Sequence, residues 1–542
     1  MKFQCKKVEN CFEEARTYEY RLPITGGELA ARLPGFQVTE NRRFRRPVFS
    51  AKKDGVEVKG ILEARVVKIN YTAGNWEEEK KRMEQWLERQ ETEMQGETQS
   101  VCPVCLRRLP AGKVLREKGI YLAKDCPEHG HFETLIWEGS RESYEAWGRQ
   151  AAAADSIPRS RPPKKGCPFD CGLCSSHERR GCCVLLEVTS RCNLGCPVCF
   201  ARSGGRKSRD VPLSELEKQM RYLMEYGGPF NLQLSGGEPT LREDLGEIIR
   251  RGREIGFTFF QLNTNGIRLA EEPEYAAALK EAGLSCVFLQ FDGLDDHVYR
   301  KLRGRPLLET KKKVIEVCRK IGLGAVLVPV IAPGINEDQM GAILSFARDQ
   351  MPVVRGVHFQ PVSYFGRCIK PEGGYRLTIP KLLSLMEEQT GGWVKAGDFA
   401  GGNATNPYCT FQANYRKQGD GSMRPLAHGA VREGASSEQA REAVARQWKS
   451  EESCCCGGEP QKSCCCGEET AQKLLDTSSL DDFLAEQHRN TLAVSGMLFQ
   501  DAWNLDLERL RRCYILETDL RYGMVPFCAY NLTSAEGRSL YR

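Results

Sequence analysis

Three cysteines lie within one short stretch, TSRCNLGCPVCFA, which spans residues 189–201. Cys192, Cys196 and Cys199 offer three thiolates on a single loop. A tetrahedral zinc ion or an iron–sulfur cluster usually takes four protein ligands, so this loop is one ligand short. A metal centre with an open position can bind a second molecule directly, as catalytic metal sites do. The spacing therefore predicts a metal centre that keeps one position for another ligand.

A second cysteine group precedes this loop and has the ligand types of a single metal ion. Cys102 and Cys105 form one knuckle, and Cys126 begins the sequence CPEHGH, which offers His129 or His131. This spacing fits one tetrahedral iron or zinc ion with three cysteines and one histidine. His129 is the candidate for the fourth ligand, and the choice between it and His131 stays open. A metal-free hairpin is the alternative, and the choice between iron and zinc stays open.

The segment CPFDCGLCSSHERRGCC, residues 167–183, carries a third group. Four thiolates can hold a [4Fe–4S] cluster, and a redox-inert zinc ribbon is the alternative. The predicted ligands are Cys167, Cys171, Cys174 and Cys182.

Composition excludes several classes of protein. The chain has 542 residues, 25 cysteines and a net charge of +6. Its start has no apolar segment typical of a secretory signal, and no apolar run approaches the about 18 residues of a membrane span. We therefore predict a cytoplasmic protein, in which grouped cysteines favour metal over disulfides. Basic and acidic residues are interspersed, so no nucleic-acid partner is expected.

From residue 184 onward, short apolar runs alternate with amphipathic helical segments, which predicts a parallel, right-handed β/α assembly. Six strand–helix units are too few for a closed eight-fold barrel, so the predicted fold class is α/β with a partial (β/α)6 barrel. Small cysteine-rich metal-binding modules lie before and after it. The predicted strands are 184–188, 231–234, 259–263, 286–291, 325–331 and 356–361.

Polar motifs follow these strands where each one ends. SGGEP (235–239) follows the second strand, TNG (264–266) the third, and Gln290 with FDG (291–293) the fourth. The working residues of parallel β/α barrels lie at the carboxyl ends of the strands, so these motifs predict the site. His358 and Gln360 end the sixth strand, where substrate contact and packing are both open interpretations.

With the three-cysteine loop and GGEP in this order, the chain resembles the radical S-adenosylmethionine (SAM) superfamily over about residues 184–365. The resemblance implies a partial (β/α)6 radical SAM barrel in which Cys192, Cys196 and Cys199 hold a [4Fe–4S] cluster. SAM would bind the open iron, and an electron from a reductant such as ferredoxin or flavodoxin would cleave it to a 5′-deoxyadenosyl radical. A structural zinc loop is the alternative.

The same resemblance assigns the SAM-binding residues. Glu238 matches the partner of the SAM ammonium group, and Val198 matches the position that packs on adenine. Asn265 and Gln290 would reach ribose or carboxylate oxygens, although Asn-Gly is also a common turn. The implied cofactor-binding residues are Val198, Ser235, Gly236, Gly237, Glu238, Pro239, Asn265 and Gln290.

Across about 100–412 and 495–542 the chain is similar to a narrower group, which contains archaeal tetraether lipid synthases and radical SAM pterin methylating enzymes. This similarity implies one or two auxiliary [4Fe–4S] clusters, and C–C bond formation or methylation of a lipid-like or pterin-like substrate. It places Cys409, Cys513 and Cys528 at a C-terminal cluster. Thr405 stands where a further cysteine is expected, so the fourth ligand is open: the candidates are Cys368, Cys454–Cys456 and Cys464–Cys466.

Five regions are predicted along the chain. An α+β region of unknown role (1–95) is followed by the Cys3His module (96–147), a linker with the auxiliary iron–sulfur segment (148–183), the radical SAM core (184–400) and a C-terminal cluster region (401–542). A flexible insertion with two CCCG repeats is predicted at 413–476. The alternatives to a small-molecule enzyme are a maturase acting on a partner peptide or cofactor and a non-catalytic iron–sulfur electron carrier. Peripheral membrane contact and a partner protein stay open.

Overall fold

The computed structural model describes residues 3–8, 16–22, 25–33, 35–89, 93–149, 162–172, 174–205, 208–368, 375–402, 406–426, 436–449 and 489–542. By their contacts the residues divide into two units, which are described separately. One unit comprises 1–96 and 112–117, and the other comprises 97–111 and 118–542.

The first unit contains a six-stranded antiparallel sheet in the order β1-β2-β6-β5-β4-β3, with two helices. Its core includes Met83 and Leu87, which recur at helical spacing on the second helix and are buried. The strands are β1 (Gln4–Lys7), β2 (Thr17–Arg21), β3 (Gln37–Asn41), β4 (Val48–Lys53), β5 (Val56–Ile61) and β6 (Val66–Tyr71), and the helices are α1 (Gly26–Arg32) and α2 (Trp76–Arg89).

A four-stranded sheet in the order β10-β9-β8-β7 carries the first metal-type cysteines. Its last two strands form a hairpin in which Cys126 pairs with Gly130, so the turn between them presents His129. The elements are β7 (Glu93–Val101), β8 (Arg108–Arg116), β9 (Gly119–Cys126), β10 (Gly130–Glu138) and helix α3 (Arg141–Gly148).

The large sheet of the second unit confirms the predicted parallel barrel. All six predicted strands are present as parallel neighbours, and the fifth is divided at Pro329, which has no amide hydrogen to give to a strand ladder. The strands are β11 (Cys183–Thr189), β12 (Asn231–Gly236), β13 (Phe260–Thr264), β14 (Cys286–Gln290), β15 (Gly324–Val328), β16 (Val330–Ile331) and β17 (Val354–Pro361).

Helices connect these strands on the outside of the sheet, as the strand–helix alternation predicts. They are α4 (Leu213–Tyr226), α5 (Leu245–Ile255), α6 (Ile267–Glu271), α7 (Pro273–Ala282), α8 (Asp296–Arg303), α9 (Leu308–Ile321), α10 (Met340–Asp349) and α11 (Ile379–Gln389).

The C-terminal region adds a parallel strand to each side of this core. β20 (Thr491–Met497) pairs with β17, and β21 (Ile515–Asp519) pairs with β11. Among the described strands β20 and β21 do not pair with each other, so the sheet stays open. The remaining elements are β18 (Thr410–Lys417), β19 (Met423–Pro425), β22 (Gly523–Pro526), α12 (Ser437–Trp448), α13 (Leu507–Arg511) and α14 (Phe527–Tyr530).

The predicted flexible insertion at 413–476 is wrong in its first part. β18 continues to Lys417, and α12 begins with a capping box between Ser436 and Gln439. This helix buries little more than Arg441 and Trp448, so its polar composition resembles that of a loop. Residues 450–488, with both CCCG repeats, lie outside the described residues.

None of the helices in the described part of the chain combines the length and the apolar character needed to cross a membrane.

Candidate functional site

A cavity of about 350 Å³ opens among the parallel strands and reaches the loop that carries the three cysteines. That loop lies between β11 and α4, and its cysteines are half-buried. The structure therefore brings the predicted motifs to one place, as expected for residues at the carboxyl ends of parallel strands. The predicted residues that line the cavity are Cys192, Cys196, Cys199, Val198, Ser235, Gly236, Gly237, Glu238, Asn265 and Gln290.

The turn after β12 lies against the chain that leads into the cysteine loop. Gly237 N donates to Thr189 O at 2.8 Å, and Glu238 N donates to Arg191 O at 2.8 Å. A Cβ atom on Gly236 would overlap the carbonyl oxygen of Thr189, and one on Gly237 would overlap that of Arg191. Glycine is required at both positions because the two backbone segments approach so closely.

Glu238 holds the neighbouring turns together through its carboxylate. Its oxygens accept hydrogen bonds from Thr240 Oγ1 at 2.7 Å, Thr264 Oγ1 at 2.6 Å and Asn265 N at 2.8 Å. The residue is 1% exposed, so the buried charge is compensated by these donors. Pro239 is buried behind the cavity wall and begins a short 3-10 turn. Contact between Glu238 and the SAM ammonium group stays a prediction.

Asn265 and Gln290 are fixed by neighbours at the cavity wall. Asn265 Nδ2 donates to the side chain of Asn193, inside the cysteine loop, at 2.7 Å. Lys311 donates to Gln290 Oε1 at 3.2 Å and also to the Asn265 carbonyl oxygen. Burial lowers the pKa of Lys311 to about 7, and this lysine links the two residues from behind the wall.

Two arginines at the cavity are not part of the sequence prediction. Arg303, at the end of VYRKLRG, forms a two-pronged ion pair with Asp292 at 2.7 and 2.8 Å. Arg367 donates to the carbonyl oxygens of Cys196 at 3.1 Å and Ser203 at 3.0 Å, so it fixes the cysteine loop. Arg367 lies far from that loop in sequence, and no local pattern marks it.

The predicted group of three cysteines and one histidine before the barrel is brought together in the structure. One ligand atom each from Cys102, Cys105, Cys126 and His129 lie within 4.8 Å of one another. His129 Nδ1 is 3.4 Å from Cys126 Sγ, whereas His131 pairs with Asp125. The structure therefore favours His129 as the fourth ligand, and three thiols with one imidazole fit a tetrahedral zinc or iron ion.

The auxiliary cysteines are gathered in one buried region. Cys167, Cys171 and Cys528 belong to one apolar cluster, and Cys513 packs against it. Cys174 is also buried, and it shares a hydrogen bond with Cys167. Thiolates are the usual ligands of iron–sulfur centres, and the assignment of these cysteines to auxiliary clusters stays a prediction.

Two other predicted auxiliary ligands have specific neighbours. Cys182 Sγ is 3.6 Å from the thiol of Cys183, a residue that the sequence analysis leaves unassigned. Cys409 Sγ accepts a hydrogen bond from Arg509 at 3.3 Å. The buried Nε atoms of Arg509 and Arg511 make no hydrogen bond to the described residues, which suits the surroundings of an anionic cluster. Thr405, Cys454–Cys456 and Cys464–Cys466 lie outside the described residues.

Comparison with known proteins identifies two parts of the chain. Residues 186–347 match the family model described as "Radical SAM superfamily", and residues 94–138 match the "HMPTM N-terminal zinc ribbon domain". The second match covers the strands that carry Cys102, Cys105, Cys126 and His129.

The chain is 35% identical over 488 residues to 7,8-dihydro-6-hydroxymethylpterin dimethyltransferase of Methanocaldococcus jannaschii, covering 81% of this chain and 94% of that protein. A probable GTP 3',8-cyclase of Methanothermobacter thermautotrophicus is 35% identical over 181 residues, covering 33% of this chain and 58% of the cyclase. Among solved structures, Streptococcus suis SuiB bound to the precursor peptide SuiA has a TM-score of 0.33 at 18% identity, covering 40% of this chain and 46% of SuiB.

These matches confirm the predicted radical SAM fold, the use of a [4Fe–4S] cluster with SAM, and an enzyme that acts by C–H activation. A non-catalytic electron carrier is therefore not the function of this chain. The chain belongs to the radical SAM superfamily and, within it, to the family of the 7,8-dihydro-6-hydroxymethylpterin dimethyltransferase.

Proposed function

We propose that this enzyme methylates a small, uncharged pterin. The observation that carries the proposal is the neutral lining of the cavity beyond the cysteine loop. Its polar lining includes uncharged amide side chains, among them Gln233, Gln261, Asn263, Gln290 and Gln360. Amides both donate and accept hydrogen bonds, as the ring atoms of a pterin do.

The charged side chains at the cavity support an uncharged substrate. Glu238, Arg303 and Arg367 line it, and each is bonded to other groups of the protein. A triphosphate would require arginine or lysine side chains able to pair with its oxygens. The lining offers no such unpaired cation among the described residues, which favours a pterin over GTP.

A lipid-like substrate, the other prediction, is less well supported. A hydrocarbon chain would leave the side-chain amide of Gln360 without a hydrogen-bond partner, and a buried polar group without a partner costs about 1–3 kcal/mol in proteins. An amide that is open to the cavity therefore favours a polar heterocycle over a hydrocarbon chain.

The roles of the cavity residues in binding the cluster and SAM follow from the family resemblance. Cys192, Cys196 and Cys199 would hold the [4Fe–4S] cluster, which supplies reductive cleavage of SAM and a radical that abstracts hydrogen. The Gly236–Gly237 turn would bring its backbone close to SAM, and Ser235, Asn265 and Gln290 would offer it hydrogen bonds. Val198 packs against the buried cluster of Val298, Leu302 and Ala332 and would give the adenine an apolar surface.

A reductant must deliver the electron that the cleavage consumes. A small electron carrier such as ferredoxin or flavodoxin fits this need, and the auxiliary clusters would pass electrons or hold substrate. The maturase alternative would require a peptide in the cavity, for which the neutral amide lining gives no particular support.

The test uses anaerobically reconstituted full-length protein, chemically reduced and supplied with SAM and 6-hydroxymethyl-7,8-dihydropterin. For each methylation one SAM takes an electron and gives methionine and 5′-deoxyadenosine after hydrogen abstraction. A second SAM gives its methyl group to the pterin radical and, with one further electron from the reductant, leaves as S-adenosylhomocysteine. We therefore expect 5′-deoxyadenosine, S-adenosylhomocysteine and a pterin heavier by one or two methyl groups, read by mass spectrometry. The Cys196→Ala variant should form neither product, and GTP in place of the pterin should remain unchanged. Deoxyadenosine without any methylated pterin, with fully loaded iron, would reject the proposed substrate.

A further inference from the structure

One wall of the cavity is built from β17 and β20, outside residues 186–347 that match the superfamily model. His358 and Ser495 are register partners on these two strands, and both line the cavity. The imidazole Nδ1 lies 2.9 Å from Ser495 Oγ, so the hydroxyl fixes the orientation of the ring. The Phe288 ring lies 5.9 Å from the imidazole and extends the same wall with an aromatic surface.

Two groups on this wall face the cavity without a protein partner. The Nε2 atom of His358 and the side-chain amide of Gln360 make no hydrogen bond to any residue that the structure describes. Residues two apart on a strand point to the same side, so the two groups lie next to each other.

Three other amide side chains of the cavity differ in this respect. Gln261 Nε2 donates to Asn263 Oδ1 at 2.8 Å, and Asn263 Nδ2 donates to Gln233 Oε1 at 3.4 Å. These three side chains satisfy one another. The half-buried imidazole and the amide of Gln360 are therefore two groups of the lining that are open to an external partner.

The histidine is uncharged at neutral pH. Burial lowers its pKa to about 4, because the cation would lose its hydration in this position. When Nδ1 accepts the hydrogen bond from the Ser495 hydroxyl, Nε2 of the neutral imidazole carries the proton and is a donor. When Nδ1 donates to that hydroxyl, Nε2 has a lone pair and is an acceptor. Beside an amide, it forms a surface with both donor and acceptor capacity.

We propose that His358, positioned by Ser495, and Gln360 form the subsite that recognises the hydrogen-bonding edge of the substrate ring. The subsite takes a planar, uncharged heterocycle whose edge carries adjacent donors and acceptors, with Phe288 against the ring. This inference rests on the proposed function and adds the residues that select the substrate. Selectivity then lies in strands outside the matched superfamily core.

The experiment compares full-length His358→Asn, Gln360→Leu and Ser495→Ala with the parent enzyme. Two quantities are measured: the KM for 6-hydroxymethyl-7,8-dihydropterin in methylation, and 5′-deoxyadenosine formation from SAM without pterin. We expect each of the first two variants to raise KM about tenfold, the loss expected for one hydrogen bond. Two other quantities should stay at the parent level: deoxyadenosine formation in the absence of pterin, and the iron content. Ser495→Ala should raise KM less, because the imidazole remains. His297→Asn, an exposed histidine on α8, is the matched control.

Equilibrium binding, read from pterin fluorescence, separates the two proposals. Binding by the parent that weakens in His358→Asn, with no methylated product, would reject the proposed reaction and support the subsite. An unchanged KM and binding constant in both His358→Asn and Gln360→Leu would overturn the subsite and leave the proposed function intact. A parent that binds no pterin would overturn both. If His358→Asn and Gln360→Leu lose iron, the Ser495→Ala variant decides whether the subsite exists. Pterin binding at the parent level in Ser495→Ala would then contradict the positioning of His358 by Ser495.

Discussion

The side chain of Asn265 donates a hydrogen bond of 2.7 Å to the side chain of Asn193. The bond connects the turn after β13 to the loop between the first two of the three cysteines. The position of the loop therefore depends on a strand that lies two places along the sheet.

Removal of this bond should weaken SAM binding without removing the cluster. Asn193→Ala leaves every cysteine in place but deprives Asn265 of its partner, and we expect KM for SAM to rise about fivefold to tenfold. Deoxyadenosine formation as a function of SAM concentration provides the measurement. Iron content serves as the control, and a parent-like KM for SAM would contradict the role given to the bond.

A methyl group at Gly237 should be far more damaging than its size suggests. The added carbon would overlap the carbonyl oxygen of Arg191, so the turn must move away from the cysteine loop. We expect Gly237→Ala to lose about 1–3 kcal/mol of stability, as overpacked sites do, and most SAM cleavage. Gly205→Ala is a suitable control because its Cβ meets open space. Thermal unfolding and deoxyadenosine formation report the two effects, and equal behaviour of the two variants would show that the close approach is unimportant.

The metal module before the barrel gives a prediction that separates two histidines. His129→Asn removes a ligand atom from the group and should cost one metal equivalent per chain, whereas His131→Asn should retain it because His131 pairs with Asp125. Elemental analysis of the two variants checks this. The element that is lost from His129→Asn identifies the metal as iron or zinc, whereas visible absorption cannot, because the [4Fe–4S] clusters absorb in the parent and in both variants. Metal loss from His131→Asn alone would reverse the assignment.

Cys409 is predicted to be a ligand of the C-terminal auxiliary cluster. Burial raises the pKa of its half-buried thiol, and the hydrogen bond from Arg509 opposes this rise and would stabilise a thiolate ligand. Cys409→Ala should therefore contain less iron per chain than the parent, while Cys318→Ala, a buried cysteine on α9, should contain the same amount. Iron counting after anaerobic reconstitution measures the difference. Unchanged iron in Cys409→Ala would exclude a cluster that depends on this residue.

The strand periodicity was sufficient to predict the inner barrel and its cysteine loop, because each β/α unit is local in sequence. β20 and β21 could not be predicted as barrel strands, since their partners are set by contacts between distant segments. Arg367 could not be predicted either, because it contacts the cysteine loop from a turn that is distant in sequence. α12 was hidden for a different reason, because a polar helix with two large buried residues has the composition of a loop.

The pairing of the barrel also has a consequence for how the protein is made. β21 lies beside β11, and Cys171 N donates to the hydroxyl of Tyr541, 370 positions further along the chain. Loop closure over such a separation is slow and must wait until the later segment has left the ribosome. During synthesis β11 is an unpaired edge and the thiols near Cys171 are uncovered. Iron delivered to Cys409 before Cys513 and Cys528 have been made would meet an incomplete ligand set, so loading of the predicted C-terminal cluster belongs after their synthesis.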